Sequence, residues 1–174
     1  MIGQFRDLDC ADRYVWMRAC SDVETRARAL IAFYDGPCWA AHKDKANAMM
    51  TEWHDVLLLR PAWRDSGPAH DAAGRHGIGA APAAGSGFAV TIWRSEPSQI
   101  EAMAKAYRTS VADAVAVLVT DPSPNNFPRH PVRQGETVLV GIERGASSAP
   151  APLPGAGEPI QVLRLAPTAR SALR

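Results

Sequence analysis

Long apolar runs are absent from this chain. No segment approaches the roughly 20 consecutive apolar residues that a membrane-spanning helix requires, so no membrane-spanning helix is expected in this sequence. The opening residues, MIGQFRDLD, have neither a basic stretch nor an apolar one after it, and no secretory signal is expected. Cysteine is scarce. Cys10, Cys20 and Cys38 are an odd number at unrelated spacings and read as free thiols in a reducing cytoplasm; a Cys10–Cys20 bridge across a hairpin is the alternative. An excess of one charge is also missing: 19 basic residues face 18 acidic ones, for a net charge of +1. That balance argues against nucleic acid and against an anionic membrane as partners.

Several catalytic signatures are absent as well. No G-x-S-x-G occurs, which excludes an α/β-hydrolase elbow. The glycine-rich run from Gly74 to Gly87 lacks the Gly-Lys-Ser/Thr of a phosphate loop and reads as a linker. The five histidines show no H-x-H, no H-E-x-x-H and no nearby cysteine pair, so neither a metal nor another cofactor is expected.

What the sequence does contain is a chain of 174 residues, 47% of them hydrophobic, enough for one sizeable core or two small subdomains. Its first 60 residues carry the clearest pattern. Ile2–Leu8 and Asp12–Ala19 alternate and predict a hairpin, with Tyr14, Trp16 and Arg18 sharing a face. Nothing in the chain order covers the other edge of the first strand. Ser21 and Glu24 form an S-x-x-E capping box ahead of a helix whose stripe is Val23, Ala27, Leu30, Ile31 and Tyr34. Asp35-Gly36-Pro37 breaks that helix, and a second runs from about Pro37 to Met49. Val56–Leu59, almost wholly apolar, predicts a strand covered on both faces.

Residues 65–87, rich in Gly, Ala, Pro and Ser, read as a flexible linker between a first half (1–64) and a second (88–174). In the second half, Phe88–Arg94, Ala114–Thr120, Glu136–Arg144 and Ile160–Leu165 predict strands. A helix opens near Pro97 with the stripe Ile100, Met103, Ala104, Tyr107 and Val111. The segment 121–134, DPSPNNFPRHPVRQ, holds four prolines and must be an irregular loop. Residues 145–159 read as disordered and 166–174 as a tail. The shared rhythm of the halves suggests an α+β fold made of two ferredoxin-like, split βαβ halves.

The runs RALIAFYDGPCWAAHKDKANAMMTEWHDVLLLRPA, DPSPNNFPRHPVRQGETVLV and VLRLAPTARSALR resemble bacterial proteins of the NIPSNAP family. The resemblance spans most of residues 2–63, 88–144 and 160–174. It implies a dimeric α+β-barrel arrangement in which sheets pack face to face. Superfamily relatives include cofactor-independent monooxygenases, isomerases, dehydratases and haem enzymes, and a haem on His42 or His130 rests on that analogy alone. Compared with the family pattern, this chain is short by a strand and helix before Ile2 and by a helix after Arg144.

Three groups of residues are candidates for chemistry. His42, one turn from Trp39, is a candidate general acid or base if it faces a cavity; its ordinary alternative is a packing or surface histidine. Tyr14, Trp16 and Arg18, with Trp93 and Phe5, would line a chamber for a planar, anionic or quinone-like molecule, and Arg18 joins His42 as a catalytic candidate; the alternative is ordinary sheet packing, with Arg18 paired to a nearby carboxylate. Asn126, Arg129 and Arg133 sit in the proline-rich loop, which would close over a ligand carboxylate or simply stiffen a connection. The expected function is therefore a small-molecule binder or enzyme of the barrel type, cytoplasmic and homodimeric. The competing expectation is a non-catalytic dimeric interaction protein.

Overall fold

Alternating residues at the start of the chain produce the expected hairpin. In the computed structural model, β1 (Gly3–Asp7) and β2 (Tyr14–Met17) pair antiparallel, with Gln4 opposite Trp16 and Phe5 opposite Val15. Asp7 is buried beside the turn. Its carboxylate accepts from Arg13 Nη1 at 2.9 Å and from the Asp9 backbone N–H at 2.8 Å, which offsets the burial of charge. The structure describes residues 1–70, 75–81, 87–111, 114–145 and 153–173. Of the stretches read as linker or disordered, 71–74, 82–86 and 146–152 lie outside the described residues.

After the hairpin come α1 (Val23–Tyr34), α2 (Pro37–Ala48), β3 (Leu59–Pro61), β4 (Phe88–Ser95), α3 (Ile100–Ser110), β5 (Ala114–Thr120), β6 (Thr137–Arg144) and β7 (Gln161–Pro167). The fold is mixed α+β. Its strands form one seven-stranded sheet in the order β2-β1-β7-β4-β6-β5-β3, every neighbouring pair antiparallel. The chain divides into two compact units. The first comprises Met1–Arg18, Leu59–Thr120 and Glu136–Arg174; the second comprises Ala19–Leu58 and Asp121–Gly135.

The sheet of the first unit is apolar on both faces at its centre, so β4 reads as a nearly continuous buried run. On one face the pleat sets Phe5, Phe88, Val90, Leu163, Leu165 and Ile142, all buried, with Phe5 and Phe88 edge to face at 5.7 Å. On the other lie Trp93, Leu139, Val117 and Val119, packed against the stripe Ile100, Met103, Ala104 and Tyr107 of α3. The Tyr107 ring lies across Gly141, where any Cβ would overlap the phenol. Its hydroxyl donates to Glu143 Oε1 at 2.7 Å.

Burial first, and then that carboxylate, hold the Tyr107 phenol above the ordinary tyrosine range. A raised folded-state pKa means that the stability it represents is whole below the unfolded value of about 10 and falls as pH rises beyond it. Alkaline titration followed by phenolate absorbance is expected to show one of the three tyrosines ionising only as the chain unfolds. Three phenols titrating before unfolding would contradict this.

Several expectations are corrected. Asp22, not Ser21, caps α1: its carboxylate accepts from the Thr25 N–H at 2.6 Å, and the Ser21 hydroxyl donates to Asp22 instead. An ionised acceptor outcompetes a hydroxyl at a helix N-terminus, and those hydrogen bonds hold the Asp22 carboxyl below its ordinary range. The Val56–Leu59 strand is shifted to Leu59–Pro61 and pairs with β5 alone, at the sheet edge, where a proline is tolerated. The helix expected at Pro97 begins at Ile100, after a turn.

The free edge assigned to the first strand is occupied by β7. The supposed tail is built in, too. Ile2 carbonyl oxygen accepts from the N–H groups of Ala172 and Leu173, and Ser171, Ala172 and Leu173 are buried. Residue 66, at the start of the predicted linker, is likewise fixed: the Ser66 hydroxyl donates to the Val117 carbonyl at 2.8 Å.

Candidate functional site

The second unit is built by a short sequence device. Asp35 ends α1, and Gly36 follows in extended backbone so close to the helix that a Cβ there would come 2.5 Å from the Ala32 carbonyl oxygen. Pro37, with its fixed φ, starts α2 at once. The reversal turns Trp39 back onto α1, its ring 5.0 Å from Tyr34 and 5.6 Å from Phe33.

The proline-rich loop completes this unit. Asn125 organises it: Oδ1 accepts from the Phe127 N–H at 3.2 Å, and Nδ2 donates to the His130 carbonyl at 2.8 Å. The loop is tied to α1 and to the segment after α2. Arg26 Nη1 donates to Asn125 Oδ1 at 3.0 Å, and Asn126 Nδ2 donates to the Val23 carbonyl at 3.0 Å. Arg129 pairs with Asp35 at 2.9 Å and Arg133 with Asp55 at 2.6 Å. The last two pairs are largely exposed and each is worth at most about 1 kcal/mol; their value is in setting the register of the loop.

That register stacks Phe127, which is buried, on Tyr34 at 5.7 Å and tilts His130 against the same ring at 5.2 Å. The Tyr34 hydroxyl and His130 Nε2 are 2.5 Å apart, with the phenol as donor in one imidazole tautomer and as acceptor in the other. Tyr34, Trp39 and His130 are all half-buried. The result is an aromatic wall holding a phenol–imidazole pair, with two arginines on the segments that form it. A phenol and an imidazole are both able to donate and accept protons, and the rings supply flat apolar surface.

The residues singled out by sequence fall in different places. Asn126, Arg129 and Arg133 come together with Tyr34 in this unit. His42 lies on α2 as an exposed side chain. Arg18 belongs to the first unit; it too is exposed, with its guanidinium 6.0 Å from the Trp16 ring centroid.

The expected chamber of Phe5, Tyr14, Trp16, Arg18 and Trp93 is not formed by this arrangement. Phe5 pairs with Val15 and so points to the sheet face opposite Trp16. Trp93 is only 2% exposed, beneath α3. Tyr14 and Trp16 stand on the terminal strand, 44% and 47% exposed, edge to face at 5.5 Å. No group of acidic, histidine or cysteine side chains suited to a metal occurs among the described residues.

Sequence reasoning passed over Tyr34, Phe127 and Arg26. Tyr34 sat in an apolar stripe and read as core. The available signal was the density of rings, Phe33-Tyr34 and Trp39 around one turn, with Phe127 and His130 in the proline-rich loop 121–134.

No protein-family model, no curated protein and no solved structure matches this chain. Among the described residues, no helix is long and apolar enough to cross a membrane.

Proposed function

We propose that the chain is a small-molecule-binding protein that takes a planar organic anion against the aromatic wall of its second unit, with the Tyr34–His130 pair exchanging a proton with the ligand. The observation that carries this reading is the 2.5 Å contact between the Tyr34 hydroxyl and His130 Nε2 within a cluster of aromatic rings. Arg26 and Arg129 supply the positive charge for a carboxylate. The reading carries forward, as proposals from the sequence resemblance alone, the NIPSNAP-like, dimeric α+β-barrel character and the cytoplasmic location.

Isothermal titration with a series of planar aromatic carboxylates tests it. Saturable binding is expected. Trp39→Ala should abolish it, Tyr34→Phe should weaken it about tenfold, the worth of one hydrogen bond to a charged group, and His42→Ala should leave it unchanged. Absence of binding across the series, or equal binding by Trp39→Ala, would overturn the proposal.

A further inference from the structure

The terminal strand β2 has an exposed aromatic pair and an unusual sequence. Residues 11–19 read Ala-Asp-Arg-Tyr-Val-Trp-Met-Arg-Ala, and three of the four pairs about Val15 are complementary: the aromatics Tyr14 and Trp16, the opposite charges Asp12 and Arg18, and the alanines Ala11 and Ala19; Arg13 and Met17 are unlike. We infer that β2 pairs with β2 of a second copy of this chain, antiparallel, with Val15 on the two-fold axis.

Three independent constraints select this register. The first is backbone direction. Asp7 N–H donates to the Arg13 carbonyl, and Phe5 and Gly3 lie opposite Val15 and Met17, so residues 13, 15 and 17 spend their main-chain groups on β1. By the alternation of an antiparallel ladder, Tyr14 and Trp16 turn theirs outward. In the proposed register, Tyr14 and Trp16 meet the partner's Trp16 and Tyr14, so every outward group finds an outward group.

The second constraint is the pleat. Residues facing each other in that register share a sheet face, so Tyr14 packs against the partner's Trp16 and the half-exposed rings cover each other in two aromatic cross-strand pairs. The third is charge. The same register sets Arg18 opposite the partner's Asp12, twice by symmetry, with both side chains exposed in the single chain. A self-complementary edge of this kind is what an isologous interface requires. The terminal position of β2 supplies the template for such pairing.

This inference rests on the first unit and not on the ligand site, so either can fail alone. The test is mass measurement by sedimentation on the whole chain, with charge-reversal variants. The native chain is expected to be a dimer. Asp12→Arg and Arg18→Asp should each raise the dissociation constant roughly tenfold, because two like-charged pairs then face each other, and the double exchange should restore it. In a background with Cys10, Cys20 and Cys38 replaced by serine, Val15→Cys should form a disulfide-linked dimer on mild oxidation, since facing residues in a non-hydrogen-bonded pair stand within disulfide reach. Met17→Cys should not. A monomer up to the solubility limit would overturn the inference. So would a dimer indifferent to both charge reversals, or one cross-linked at residue 17 in preference to 15.

Discussion

Trp93→Ala is expected to destabilise the first unit by about 3–5 kcal/mol, the range for removing a large buried aromatic. Trp93 is 2% exposed, lies edge to face with Tyr107 at 5.5 Å, and shares its cluster with Met103, Val117, Val119 and Leu139. Those neighbours belong to an antiparallel sheet and a helix bound to it, so little of the void can close. Urea unfolding of the variant is the measurement. Trp53→Ala is the internal control: its ring is 43% exposed, and a surface change of this kind falls within about 0.5 kcal/mol. Equal losses for the two tryptophans would show that the assignment of inside and outside is mistaken.

Gly141→Val is the second large effect. Tyr107 passes directly over Gly141, on the central part of the sheet, so even one added carbon displaces the ring from its place and from its hydrogen bond to Glu143. Overfilling a packed core in this way costs about 1–3 kcal/mol or more. The cause can be isolated: in a Tyr107→Ala background the space is vacant, and Gly141→Val should then cost at least about 1 kcal/mol less than it does alone, a coupling expected of residues in contact. Additive losses would mean that the two positions do not touch.

Periodicity made much of the fold legible before any coordinates. The hairpin, α1, α2, the stripe of α3 and four of the later strands lie within a few residues of where alternation and helical spacing put them, because each pattern is local. Pairing over long distances was not legible. That β7 would sit between β1 and β4, and that Ser171 and Leu173 would be buried against the first strand, depends on contacts between chain ends. A short run of Ala, Thr and Ser carries no periodic signal of that role. The capping error at Ser21 was a competition between adjacent oxygens, which a residue pattern cannot rank without geometry.

The site divides in the same way. The loop 121–134 stood out because four prolines restrict it; Asn126, Arg129 and Arg133, singled out there as ligand contacts, are bonded to the Val23 carbonyl, Asp35 and Asp55. Tyr34 was hidden because a phenol at a helical stripe position looks like core. Only the fold reveals that it meets His130, 96 residues away. Tyr14 and Trp16 were read from alternation as one face of a strand, which holds, but alternation does not say whether a face is interior. The edge position of β2 puts those rings at the surface, and there they serve the pairing proposed above.

The most direct test of the ligand site is nitrogen-detected NMR of the His130 imidazole during titration with the tightest aromatic carboxylate of the series. The expected result is a shift of the Nε2 resonance that saturates with the binding isotherm and, in Tyr34→Phe, follows that variant's roughly tenfold weaker isotherm. A His130 ring that stays unmoved while ligand binds elsewhere on the chain would contradict the account.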